Sequence, residues 1–269
     1  MTYTVAQLQA EIARRAPWYQ CISFPQHGIA TTDNAANAML DGAWDNKTDH
    51  NTIEEAARLR PRPKWDAIGT FLPSVQGLEV LEIGSNCGFF SFEFARRGAK
   101  SVTGLDVAPK WLENAEWARA VLGFDNVRFF NCDFMRYDGL PQPAPGLLSN
   151  SDWQIPLPDR QFDLVFMSTV LDHLFFPLFA IYKMCRISRR WVVIDVPAAD
   201  VPADESMARL SVAADQSHHG FTFSPKFLTT YIGRLGIPAT DIQTRIYNGG
   251  RNVSYIVDVR RFSQGLQGA

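Results

Sequence analysis

An α/β fold, with a mostly parallel, doubly wound sheet that ends in an antiparallel hairpin, is what this sequence predicts, on three observations. From Leu78 onward, apolar strand-like runs alternate with helical ones, and such alternation implies a parallel sheet with right-handed crossovers. Residues 79–106, EVLEIGSNCGFFSFEFARRGAKSVTGLD, run strand, glycine turn, helix, second strand and terminal acid. That is the order of a nucleotide-cradling βαβ half-unit. Near the end, Asn248-Gly249-Gly250 separates two apolar runs, a hairpin signature.

The elements follow in order. Thr4 to Ala16 reads as an amphipathic helix, with Val5, Leu8, Ile12 and Ala16 at helical spacing and Thr4 as N-cap. Trp18 to Ala43 is irregular, Asn51 to Leu59 resumes a helix that Pro61 and Pro63 stop, and Lys64 to Leu72 gives one more. Strands are expected at Leu78 to Ile83, Ser101 to Asp106, Val127 to Asn131, Phe162 to Met167 and Trp191 to Val196. Helices are expected between them at Phe89 to Arg97, Pro109 to Leu122 and Leu174 to Ile187. Ser224 caps a helix that starts at Pro225 and ends before Gly236. Ile242 to Tyr247 and Val253 to Val259 form the closing hairpin.

The domain organisation that results is an N-terminal helical and irregular extension over residues 1–69, a ligand-binding domain over 70–262 and a tail over 263–269. Two insertions, 138–160 with its five prolines and 197–223, interrupt the domain. At 269 residues the chain supports one good core plus an appendage. Its formal charge of −2 gives no overall bias toward polyanions. Four scattered cysteines without a CxxC read as thiols of a reducing cytoplasm. The longest apolar run, Leu174 to Tyr182, contains Pro177 and is too short to span a bilayer. A cytoplasmic protein, monomeric or homodimeric, with no membrane partner, is the expectation.

The glycine turn carries the ligand chemistry. Val80, Leu81 and Ile83 make the strand, while Gly84 and Gly88 let the backbone pass close to a ligand. The spacing is Glu82-x-Gly84-x-x-x-Gly88, without the third glycine of the dinucleotide fingerprint and with a carboxylate at the strand end. Glu82 would repel a phosphate and attract an adenosyl ligand bearing a sulfonium and an ammonium, a description that S-adenosylmethionine fits. Asp106 arrives where a carboxylate can take two ribose hydroxyls.

With Glu82, Gly84 and Gly88 at these places and Asp106 closing the second strand, the stretch resembles motif I of the class I S-adenosylmethionine-dependent methyltransferases. The resemblance covers roughly residues 70–262 and implies that family's fold, its cofactor and a transferase activity. It implies a cofactor site from Glu82, Gly84, Ser85, Asn86, Gly88, Phe89, Asp106, Val107, Asp133, Phe134 and Ser168. In the family an acid at the place of Asp133 meets the adenine amino group while the next residue, here Phe134, packs on the ring. Asp133 reads equally as a helix N-cap. Ser168 and Thr169 close the fourth strand at the crevice edge, toward the methionine end of the cofactor.

Three stretches, WYQCISF at 18–24, KWDAI at 64–68 and VLDHLFFPLFAIYKM at 170–184, resemble the branch containing the tRNA wobble-uridine carboxymethyltransferase. Asp172 stands where that branch has Tyr, and a carboxylate facing a carboxylated cofactor would repel it. Ordinary S-adenosylmethionine and a small-molecule acceptor, methylated on O, N or S, are therefore expected. A tRNA-modifying enzyme and a non-catalytic S-adenosyl-ligand module are the alternatives.

Methyl transfer asks mainly for proximity, alignment and exclusion of water, with a base only if the acceptor must lose a proton. His173 and the pair His218 and His219 are the candidate catalytic residues, with Asp215 placed to orient a ring. His173 reads equally as a cap of its helix. No metal site is expected, since adjacent loop histidines rarely face one ion. Trp18 and Tyr19 are expected either to close over the ligands, where aromatic faces favour a sulfonium, or to dock the N-terminal helix. Asp172, Arg245 and Arg251 complete the candidate substrate residues, the arginines reading either as solubilising charges at the strand edge, the preferred reading, or as anchors for an acceptor carboxylate.

Overall fold

The computed structural model of the chain describes residues 3–31, 61–135, 159–198, 205–212 and 219–262. The helix expected at 51–59, nearly all of the 138–160 insertion and the tail lie outside them. Eleven strands are described; seven form one sheet in the order β10-β11-β7-β6-β3-β4-β5. These are β3 (Glu79–Ile83), β4 (Ser101–Asp106), β5 (Val127–Asn131), β6 (Phe162–Ser168), β7 (Ser188–Pro197), β10 (Ile242–Tyr247) and β11 (Asn252–Asp258). The chain divides into two compact units, residues 1–76 with 85–132, and residues 77–84 with 133–269.

The first unit holds the N-terminal segment and the helix that follows the glycine turn. α1 (Val5–Arg14) starts at Thr4, whose hydroxyl and Gln7 form a capping box. A two-stranded ribbon of β1 (Ser23–Phe24) and β2 (Ile29–Ala30) follows. α2 (Arg62–Gly69) takes Pro63 into its first turn, a place where the missing amide costs nothing. α3 (Phe89–Arg96) and α4 (Pro109–Leu122) alternate with the parallel pair β4 and β5. Aromatic rings fill the space between: Trp65 meets Phe94 edge-on at 5.3 Å, and Phe92 meets Phe129 at 5.8 Å.

In the second unit β3, β6 and β7 run parallel, β11 pairs antiparallel with β7, and β10 with β11. The expected terminal hairpin is present, with Tyr247 opposite Asn252. α5 (Pro177–Ile187) starts three residues later than the sequence predicts. Phe176 precedes a proline and adopts a non-helical conformation, because the proline ring disfavours the α region for its predecessor. The 197–223 insertion contains a second ribbon, β8 (Ala208–Val212) against β9 (His219–Phe223). α6 (Pro225–Arg234) is capped by Ser224, whose oxygen accepts from Phe227 N. Val80, Leu81, Phe166, Val192, Val193, Ile194 and Tyr255 are among the buried residues of this second unit.

Candidate functional site

The turn after β3 is shaped by where its amides go. Ser85 N donates to Leu105 O, Asn86 N to the Asp106 carboxylate at 2.8 Å, Cys87 N to Asn86 Oδ1, and Gly88 N to Ser85 O. Phe89 N, the first amide of α3, donates to Gln20 Oε1 at 2.9 Å. Five consecutive amides are thus committed to protein acceptors. A phosphate cradle works by pointing such N–H groups at the ligand. This turn offers a backbone wall instead.

Within the first unit two residues of the turn hold left-handed conformations, Asn86 at φ 50° and Gly88 at φ 89°. A Cβ on Gly88 would lie 2.6 Å from the Phe129 ring. Asp106, at the end of β4, accepts from Asn86 N with one oxygen and from Ala108 N with the other, both at 2.8 Å. A carboxylate has about four lone-pair sites, so both oxygens retain accepting capacity. Burial raises the Asp106 carboxyl above its usual range, opposed by the amides of Ala108, Asn86 and Val107. Val107 itself is an exposed apolar side chain.

Gln20 was not legible as a site residue. It is 6% exposed and is held by Thr31, whose hydroxyl donates to Gln20 O and accepts from Ile22 N. Trp18 takes the docking role of the two foreseen. It is 2% exposed, its indole donates to Ile12 O at 2.9 Å, and its ring lies 5.8 Å from that of Trp117. The ring that packs α1 against α4 is thereby buried inside this unit. Tyr19 lies against Trp111 at 5.7 Å. Gln20→Leu should orphan the buried Phe89 amide and cost about 1–3 kcal/mol, while Gln20→Glu, which keeps an acceptor, should restore most of it; urea unfolding of the two variants measures the difference.

In the second unit Glu82 lies near the end of β3, 1% exposed. Gly84 follows at φ 75°, so close to Val170 that a Cβ would lie 2.2 Å from Val170 Cγ2. Asp133 Oδ1 accepts from Met135 N at 2.9 Å, the local bond of the N-cap reading. Phe134 is buried, its carbonyl taking a 2.6 Å bond from the Lys183 ammonium, which also lies 4.8 Å from its ring centroid. Lys183, buried on α5, had no signal in the sequence beyond its helical spacing.

The ends of β6 and β7 carry a polar cluster that sequence reasoning missed except for Ser168. Asp195, fully buried, accepts from Tyr247 Oη at 2.6 Å, Ser254 Oγ at 2.6 Å and Ser168 Oγ at 2.9 Å. Burial, followed by the Asp195 charge, pushes the Tyr247 phenol far above its ordinary range. Asp172 is buried and its carboxylate lies 3.4 Å from His173 Nε2. His173 sits in a 3-10 turn, Leu171–His173, separated from α5, so it does not cap that helix. His218 and the His219 side chain lie outside the described residues. Arg245 and Arg251 are exposed on and beside the hairpin. Among the described residues no group of three His, Cys, Asp or Glu side chains could hold a metal ion, and no helix is long and apolar enough to cross a membrane.

A family model described as a methyltransferase domain matches residues 49–237. No curated protein matches the chain. Among solved structures, the N-terminal domain of EvdMO1 with S-adenosylhomocysteine bound is similar at 17% identity and a TM-score of 0.60, over 96% of this chain and 97% of that one. Magnesium protoporphyrin IX methyltransferase from Synechocystis PCC 6803 is similar at 16% identity and 0.55, over 84% and 95%. The 1,6-didemethyltoxoflavin-N1-methyltransferase of Burkholderia thailandensis is similar at 18% identity and 0.50, over 68% and 71%.

Proposed function

We propose, from the premise that this chain belongs to the S-adenosylmethionine-dependent methyltransferases, that it moves the cofactor's methyl group to an O, N or S atom of a small molecule. The observation that carries the reading is the closed amide set of the glycine turn. A turn with its N–H groups spent suits a cofactor that needs no phosphate contact, and the cofactor of this family has none. The structural relatives include enzymes crystallised with small molecules, 1,6-didemethyltoxoflavin in one and D-fucose in another, which supports a small acceptor here.

In this proposal Asp106 uses its remaining accepting capacity for the ribose hydroxyls, and Val107 covers a face of the adenine. Asp133 takes the adenine amino group and Phe134 packs on the ring. Ser85, Asn86, Gly88 and Phe89 supply the wall against which the adenosyl group lies, with Gly84 bringing the backbone close. Glu82 supplies negative charge toward the cationic end of the cofactor, and Ser168 borders the methionine end. When bound, the cofactor supplies an electrophilic methyl on a sulfonium; the chain's part is to bind, align and exclude water. His173, partnered by Asp172, is the base of this proposal when the acceptor must lose a proton.

Calorimetric titration with S-adenosylhomocysteine tests the assignment. Glu82→Ala and Asp106→Ala should each weaken binding by about 1.5–3 kcal/mol, the worth of a charge-assisted contact, or roughly 10- to 100-fold. NAD should give no heat. Unchanged affinity in both variants would remove the two acids from the site.

A further inference from the structure

The Asp195 cluster is built in a way that fold stability does not require. A fully buried carboxylate holds three hydroxyls from three elements, Ser168 ending β6, Ser254 within β11 and Tyr247 ending β10. Replacing all the partners of such a set together by apolar groups of the same shape can be nearly neutral or stabilising. Beside it the chain is strained. Thr169, β-branched, stands at φ 53° with its amide donating to Asp195 O at 2.8 Å, and outliers of this kind gather at binding sites. Ser168 and Asp195 pair in register at the carboxyl ends of neighbouring parallel strands, the edge at which open α/β sheets take their ligands.

The hydrogen-bond direction follows from the donor inventory. A hydroxyl has one hydrogen and two accepting lone pairs, a carboxylate has no hydrogen, and 2.6 Å is the length of an O–H···O⁻ bond. Tyr247 and Ser168 therefore spend their hydrogens on Asp195. In the 3.3 Å contact between Ser168 Oγ and Thr169 Oγ1, the hydrogen comes from Thr169. What Ser168 and Tyr247, both partly exposed, present outward is lone pairs. The phenol stays protonated, being pushed upward by burial and by Asp195, so it does not exchange this polarity for a charge. A group seated against these two oxygens must donate.

We propose that Ser168 and Tyr247, polarised by Asp195, seat the hydrogen-bond-donating group of the methyl acceptor, so that the acceptor is an alcohol, a phenol or an amine. This rests on the methyl-transfer reading and narrows it, excluding acceptors that present only lone pairs. Asp195 is a positioning residue: it touches no ligand and sets which way the two hydroxyls face. Arg245 and Arg251 lie on the same hairpin as Tyr247 and suit a carboxylate elsewhere on such an acceptor.

The test uses two probes of nearly one shape and opposite polarity. Crystals of the protein with S-adenosylhomocysteine are soaked in 2-propanol or in acetone. The 2-propanol oxygen should appear within about 3.2 Å of Tyr247 Oη or Ser168 Oγ, and acetone should not. Asp195→Asn should admit acetone, because the new amide must donate to one hydroxyl and that hydroxyl's hydrogen turns outward. Tyr247→Phe, which keeps the ring, should lose 2-propanol from the tyrosine position and serves if Asp195→Asn does not fold. Acetone seated in the wild type, neither probe seated, or the S-adenosylhomocysteine ammonium occupying both oxygens overturns the proposal. Absence of S-adenosylhomocysteine itself from the crystals would instead overturn the cofactor assignment beneath it.

Discussion

Gly84→Ala is expected to destabilise the protein by about 2–5 kcal/mol, the sum of two independent penalties. The residue stands at φ 75°, where a Cβ crowds the following carbonyl at a cost of roughly 1–2 kcal/mol. Its added methyl would then meet Val170 Cγ2 at 2.2 Å, with the other Val170 carbons at 3.4 and 3.5 Å. Val170 has no easy escape, since a β-branched side chain is stiff at χ1 and its neighbour Thr169 already holds a left-handed conformation. Forcing a methyl into such a place costs typically 1–3 kcal/mol. Gly123→Ala is the control: its φ is 73°, yet nothing lies within 4 Å of the added atom. It should show the backbone penalty alone. Urea midpoints at constant slope give both values, and equal losses would mean that Val170 moves aside freely.

That contrast also shows what a sequence can and cannot disclose. Gly84 and Gly88 were legible as close-approach glycines because the strand before them and the helix after them have strong periodic signals. The strand ends, the Thr4 and Ser224 caps and the hairpin around Asn248 were legible for the same reason, being decided within a few residues of chain. α5 began late because the proline that starts it also bars its predecessor from the helix. Such a rule is local and was available in the sequence.

The partners that complete the glycine turn and the Asp195 cluster are not local. Gln20 reaches Phe89 across 69 positions, and Tyr247 and Ser254 reach Asp195 across 52 and 59. No spacing rule links residues so far apart, and Asp195, read within its strand, is merely one acid in an apolar run. Trp18 is a different case. A ring near a suspected site fits either a ligand contact or a packing role, and only its indole bond to Ile12 O and its burial decide for packing. Had the turn's amides been open, the phosphate-binding alternative would have stood; it was the tertiary bond from Gln20 that closed the last of them.

The second large effect is expected at Asp195. Asp195→Ala removes the acceptor of three hydroxyls at once, and Ser254, fully buried, can recover no water. Each orphaned buried hydroxyl costs about 1–3 kcal/mol, and the truncation leaves a void besides. A loss of about 3 kcal/mol or more should follow. Asp195→Asn should cost far less, because its carbonyl still accepts from Tyr247 and Ser254 while its amide donates to Ser168. The Tyr247 phenol separates electrostatics from packing. Burial is the first cause of its raised pKa and the Asp195 charge the second, so the asparagine variant should ionise at lower pH than wild type and still above the ordinary tyrosine value of 10.0. The sign of the linkage follows. A folded-state pKa above the unfolded one means the native state holds the proton longer, so stability present below pH 10 is lost as pH rises above it. With the Asp195 charge gone, that alkaline loss should level off at a lower pH. Titration of a ¹³C-labelled tyrosine ring by NMR, together with unfolding at pH 8 to 11, reads both quantities. An unmoved Tyr247 would show that the carboxylate does not polarise the phenol, and the acceptor subsite built on that polarity would fall with it.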